Sequence, residues 1–204
     1  MSADATRSFQ ILPRTMTLSR RLSFGALSVA LLSAAPAFAQ GGMQMPAAGS
    51  KQPPASPRDS LKATIGGAQI SVNYGRPSKR GREIFGGLGD MKWGMVWRMG
   101  ANEATSFTTS KDLMFGMHAV PAGKYTLWVK LDQGGKWELI VNKQTGQWGT
   151  AYDAKQDLVH IPMTVTALPA VVEKMEITVA PSGKGGELAV QWDKTRAAAF
   201  FTAK

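Results

Sequence analysis

The densest chemistry in the sequence lies in nine residues, Trp97-Arg98-Met99-Gly100-Ala101-Asn102-Glu103-Ala104-Thr105. They bring an indole, a guanidinium, an amide and a carboxylate together around small residues. Arginine offers five donors in a rigid fork that matches carboxylate, phosphate or sulfate. Asn102 can donate and accept. Glu103 can pair with Arg98 or Arg82, or accept from the hydroxyls of a sugar. Upstream, Arg76 and Arg82 add further donors, and Trp148 a second flat apolar wall. The candidate ligand-binding set is therefore Arg76, Arg82, Trp97, Arg98, Asn102, Glu103 and Trp148, with an anionic or polyhydroxyl ligand as the expected partner. A structural reading stands beside it. Buried backbone groups of a long loop need partners, and these same side chains can supply them.

Catalysis is the rival class. Glu103 could act as a general base with Arg98 as electrostatic stabiliser. Ordinary glycoside hydrolysis needs a second carboxylate, for which Glu83 and Asp90 are the neighbours in sequence. No Ser/His/Asp order stands out, so no catalytic residue is assigned and a binding or accessory module is favoured, with a structural or protein-interaction domain of the envelope, using strand edges and the basic surface, as a further alternative. The sequence contains no cysteine, which excludes disulfides, thiol nucleophiles and cysteine zinc sites. Its two histidines, His118 and His160, are too few for a histidine-rich metal centre. Met43-Gln44-Met45 reads as part of a tail before it reads as a soft-metal site. No phosphate-binding loop, dinucleotide fingerprint or metalloprotease helix is present. No metal and no cofactor are expected.

The elements that must position these residues are strands. Leu61 to Ile65 and Gln69 to Tyr74 alternate apolar and polar, with Gly66-Gly67 between them, the pattern of a hairpin. Gly75 to Gly100 breaks this regularity. It is rich in glycine, arginine and tryptophan, has no sustained period, and leaves room for a short helical turn between Met91 and Met99. A structureless run of this length in a compact domain is uncommon, and is usually functional or else misassigned. Ala104 to Ser110 then reads as a strand, and Asp112 to Val120 as a hairpin around Gly116. Lys124 to Leu131 turns at Asp132 to Gly135 into a return strand through Trp137, Leu139 and Val141. Later strands are expected at Leu158 to Leu168, around Met175 to Val179, around Leu188 to Trp192, and from Arg196 to Thr202, with Asp193-Lys194 as a turn. Trp137, Trp192 and Tyr125 are expected in the core, and His160 on a wet face. Nine or ten short strands with one apolar face each predict an all-β fold, an antiparallel β-sandwich of jelly-roll-like type whose outer faces are solvated, with a closed barrel as the alternative.

The first part of the chain reads differently. Arg20-Arg21, an uncharged apolar run from Leu22 to Ala35, and Ala37-Phe38-Ala39 form the basic, apolar and small-residue pattern of a secretory signal peptide. The apolar run is short of the roughly 20 residues of a transmembrane helix, so no membrane anchor is expected after processing. Initiation at Met1 or at Met16 would both yield it. The expected organisation is a signal peptide over 1–39, a flexible Gly/Pro/Ala/Ser/Gln linker over 40–57, and a single domain over 58–204. The formal charge is +10; loss of residues 1–39 removes four arginines and one aspartate and leaves +7. In an exported, periplasmic or extracellular protein such charge favours anionic glycans, lipids or ligands over nucleic acid.

Several segments carry a resemblance in the right order. Tyr74-Gly75-Arg76-Pro77 with Gly81-Arg82-Glu83-Ile84-Phe85-Gly86-Gly87-Leu88 is one, and Val96 to Thr105 is another. Pro121 to Trp128 and Asn142-Lys143 with Gln147-Trp148-Gly149 complete it. The chain resembles, over roughly residues 57–204, the bacterial secreted family catalogued as domain of unknown function 2911. The resemblance implies an exported bacterial protein with a mostly-β domain and brings no activity with it. His118 stands where the family more often has lysine, and Asp90-Met91-Lys92 lengthens the segment before Trp93.

Overall fold

Glycine pairs and alternating residues set the first hairpin. In the computed structural model, which describes residues 55–86 and 91–204, β1 (Arg58–Ile65) and β2 (Ala68–Gly75) pair antiparallel from Arg58↔Gly75 to Ile65↔Ala68. Gly66 and Gly67 turn the chain with φ of +56° and +76°, the positive values that a two-residue hairpin loop requires. Ile65, Ile70, Val72 and Tyr74 are buried on the inward face. The leader expected over 1–39, the linker up to residue 54, the Met43–Met45 pair and Asp90 lie outside the described residues. The described residues all fall within one unit, Ala48–Lys204.

Nine further strands follow: β3 (Val96–Trp97), β4 (Thr105–Thr109), β5 (Leu113–Phe115), β6 (His118–Val120), β7 (Gly123–Lys130), β8 (Glu138–Asn142), β9 (Asp157–Pro162), β10 (Thr164–Ser182) and β11 (Gly185–Ala203). The larger sheet has the order β1-β2-β4-β7-β8-β9, with the two residues of β3 paired on β7. The smaller has the order β10-β11-β5-β6. The fold is all-β, two antiparallel sheets closed over a shared core. Tyr125, Leu127, Val129, Leu139 and Ile161 come from the larger sheet, and Phe115, Ile177, Val190 and Phe201 from the smaller.

Four local expectations are corrected. The run from Leu158 to Leu168 is two strands in different sheets. Met163 still donates to Trp137 O at 2.9 Å in the larger sheet, while Thr164 already pairs with Ala198 in the smaller. Simple alternation cannot show such a crossing, because the inward face stays apolar through it. Met175 to Val179 is not a separate strand but the continuation of β10. Asp193-Lys194 is not a turn: Asp193, with φ of +54°, lies where the β10–β11 register shifts, and aspartate tolerates that left-handed geometry. No helical turn forms between Met91 and Met99.

The outer face of the larger sheet is also not uniformly wet. Trp128 and Ile140 are buried there with Ala104, and Val96 and Tyr152 pack against them. β7 is thus buried on both faces over Tyr125–Val129, because the 144–152 segment folds back over it.

Candidate functional site

The long glycine- and arginine-rich segment is held by apolar anchors and backbone bonds. Ile84 is fully buried. Phe85 packs on Trp137 at a centroid distance of 4.9 Å and edge-on to Trp97 at 5.8 Å. Trp97 in turn stacks on Trp192 at 6.0 Å, and its indole nitrogen donates to Gly100 O. Each such aromatic pair contributes about 0.5–1.5 kcal/mol beyond area burial. Trp97 is therefore first a core residue.

After Trp97 the chain makes a tight loop. Met99 and Asn102 both have positive φ, 49° and 65°, unusual for residues with a side chain. The loop is held by the Thr105 hydroxyl donating to Met99 O at 2.9 Å and by Ala101 N–H donating to Gly75 O at 3.1 Å. Gly75 is needed there: a Cβ would stand 2.0 Å from Ala101 O. The loop then meets the 147–149 segment. Ala104 N–H donates to Gln147 O, Gly149 N–H to Asn102 O, and Glu103 bridges Trp148 through the backbone.

The candidate side chains part company from this shared backbone. Glu103 accepts from Arg58 at 2.6 Å, and Arg58 also bonds Asn73. Its partner is thus neither Arg98 nor Arg82. The Glu103 backbone amide, reinforced by Arg58, holds its carboxyl below the usual glutamate range. The Asn102 side chain donates to Ser56 O. Arg76 donates to Met175 O at 2.9 Å and lies 3.4 Å from Asp59. Arg82 donates to Lys79 O and Ser78 O. Both arginines secure the start of the loop, which docks on β10 where Met175 N–H meets Pro77 O and Lys79 N–H meets Glu173 O. Trp148 is about half exposed, at 53%. Of the second carboxylates considered for hydrolysis, Glu83 has a side-chain oxygen close against Gly86 within the loop.

Arg98 differs from all of these. Its Nε is buried without a hydrogen-bond partner. No hydrogen bond or ion pair engages its guanidinium among the described residues. Burial lowers its pKa from the ordinary arginine value. Its stem passes beneath Gly149, where a Cβ would stand 1.9 Å from Arg98 Cδ. Arg98 lines a groove of about 560 Å³ on the outer face of the larger sheet, within the range of small-molecule sites. Met91, Met95, Trp97, Trp128 and Tyr152 form most of the remaining wall.

The Tyr152 wall rests on a polar network that the sequence did not reveal. Tyr152 packs on Trp128 at 5.0 Å, and its hydroxyl donates to Asp157 Oδ2 at 2.5 Å. Burial first, and then Asp157, push that hydroxyl's pKa upward. The buried Asn142 amide donates to Asp157 Oδ1 at 2.8 Å. His160 lies between Asp157 at 3.0 Å and Glu138 at 3.1 Å, with Lys130 3.6 Å from Glu138. Burial alone would lower the His160 pKa; the bonds to Glu138 and Asp157 outweigh it and raise it. Glu138 is lowered, first by His160. His118 opens β6, opposite Phe115, and takes no part. Among the described residues no three His, Asp or Glu side chains are arranged to hold a metal ion. The one sequence signal for this region was Trp128 itself, a large apolar residue at a position where alternation calls for a polar one.

Residues 56–201 match the family described as a protein of unknown function, DUF2911, and the chain belongs to that family. No curated protein and no solved structure matches the chain.

Proposed function

We propose that this chain is an exported bacterial envelope protein whose β-sandwich serves as a ligand-binding or accessory module, with Arg98 as the anion-recognising residue of the outer groove. The observation that carries the reading is the buried Arg98 Nε, without a partner among the described residues, in a recess lined by aromatic side chains. A buried donor without a partner costs about 1–3 kcal/mol, a cost that a structural arginine avoids by finding a carbonyl, as Arg76 and Arg82 do. Asn102, Glu103 and Trp148 shape the loop that presents Arg98. Export rests on the basic, apolar and small-residue pattern of residues 1–39, followed by a linker over 40–57 and a domain over 58–204. Among the described residues no helix is long and apolar enough to cross a membrane.

Hydrolysis with Glu103 as general base has less support. A base working near neutral pH needs a raised carboxyl pKa, and that of Glu103 is depressed by its own amide and by Arg58. The binding reading is tested with acetate as a bare carboxylate probe, titrated against the protein lacking residues 1–39. Nuclear magnetic resonance should show perturbation of the Arg98 Nε–H and the Trp128 indole. Arg98→Met should abolish the response, and Glu103→Gln should leave it unchanged. A response equal in wild type and Arg98→Met would end the proposal. Intact-mass measurement of the exported protein should place its first residue at Gln40; a retained leader would overturn the export reading.

A further inference from the structure

Resting on the reading of Arg98 as an anion-binding residue, we infer that the groove selects a monocarboxylate with a flat, apolar body, and discriminates against sugars and against dianions such as phosphate. The wall chemistry carries this. Among the described residues, Arg98 is the only charged side chain that lines the groove. One guanidinium fork satisfies one carboxylate through two parallel hydrogen bonds, whereas a dianion would leave charge uncompensated in a partly dry recess.

The rest of the lining argues against a polyhydroxyl ligand. Among the described residues, no aspartate, glutamate, asparagine or glutamine lines the groove. A sugar would bring hydroxyls that require such partners, and each one left dry would cost affinity. The Tyr152 hydroxyl is already committed to Asp157, and the Trp128 indole N–H to the Thr126 hydroxyl. Among the described residues, Thr150 is the remaining lining side chain with a hydroxyl not engaged elsewhere. The Tyr152 ring, backed by the buried Trp128 at a tilt of 52°, and Val96 offer apolar surface. The thioethers of Met91 and Met95 are flexible enough to close on rings of different outline.

The experiment uses four probes on the protein lacking residues 1–39, by calorimetry and by the same Arg98 and Trp128 resonances. They are acetate, 3-phenylpropionate, 3-phenylpropan-1-ol and maltotriose. The expected result is that 3-phenylpropionate binds roughly tenfold or more tighter than both acetate and the alcohol, since it combines both recognition elements. Arg98→Met should erase the preference for the acid over the alcohol. Acetate binding that is not improved by the phenyl group would overturn the ligand class and leave the anion-binding reading standing. Equal binding of acid and alcohol, or tighter binding of maltotriose, would also overturn the class. No perturbation of Arg98 by acetate or by 3-phenylpropionate would overturn the anion-binding reading itself.

Discussion

Replacing Arg98 by methionine should make the protein more stable. Most substitutions of a half-buried charged residue do the opposite, because they strand a partner. Here there is no partner to strand: Arg98 Nε is buried and unbonded, and no carboxylate pairs with the guanidinium among the described residues. Arg98→Met keeps an unbranched stem beneath Gly149, so the close contact there is preserved. It removes the dry donor, worth about 1–3 kcal/mol, and sacrifices some packing of the guanidinium plane over the groove wall. The expected balance is a gain of about 1–2 kcal/mol. At about 2–4 °C per kcal/mol for a domain of this size, Tm should rise by about 2–8 °C. Urea unfolding at pH 7, followed by tryptophan fluorescence, measures the gain, and Arg98→Lys serves as the control that retains charge and should show none. A loss of more than about 1 kcal/mol in Arg98→Met would refute the reasoning and make Arg98 a structural residue. A gain in stability with a loss of binding is the signature of a residue kept for function at some cost to the fold.

Three further outcomes follow from the geometry. His160 has a folded pKa raised above its unfolded value, so its contribution to stability is fully present below the unfolded pKa and is lost as pH rises through the folded one. The stability difference between wild type and His160→Gln should therefore shrink from pH 6 to pH 9 in urea titrations; a difference that grows would contradict the network. Glu103→Gln should leave Tm within measurement error, because the Arg58–Glu103 pair is solvent-exposed; marked destabilisation in a thermal scan would show a buried role. Gly149→Ala should destabilise by about 1–3 kcal/mol or more through overpacking, since the new methyl meets Arg98 Cδ at 1.9 Å and Asn102 O at 2.5 Å; an unchanged urea midpoint would show that the 147–149 segment yields easily.

The strands were legible where a period-two pattern met glycine punctuation. The β1–β2 hairpin, the β5–β6 hairpin around Gly116 and the β7–β8 return all sit where alternation places them. The same rule concealed the crossing at Met163, because one apolar face serves both sheets in turn. It also gave the larger sheet a wet outer face, whereas Trp128 and Ile140 are buried there, since what covers them is an aperiodic loop that alternation does not describe. At the candidate site, composition alone marked Arg98, Asn102 and Glu103. Which carboxylate meets which arginine depended on a strand start 45 residues away, Arg58. No local spacing carries that pairing. Nor did it separate Arg76 and Arg82, which end on backbone carbonyls, from Arg98, which does not.

The placement of β10 and β11 has a consequence for a chain that emerges from its N-terminus first. The larger sheet is complete at Pro162, while residues 164–203 supply two of the smaller sheet's four strands. The β5–β6 hairpin pairs with β11 through Thr202 and Ala203. Until those residues arrive, the β5–β6 hairpin is all of the smaller sheet that can stand opposite Leu127, Val129 and Leu139. The late pair is a local hairpin around Gly183, and such hairpins close in roughly 1–10 μs. The time for which the larger sheet stands only partly covered is therefore set by delivery of the last strands, and not by their search for one another.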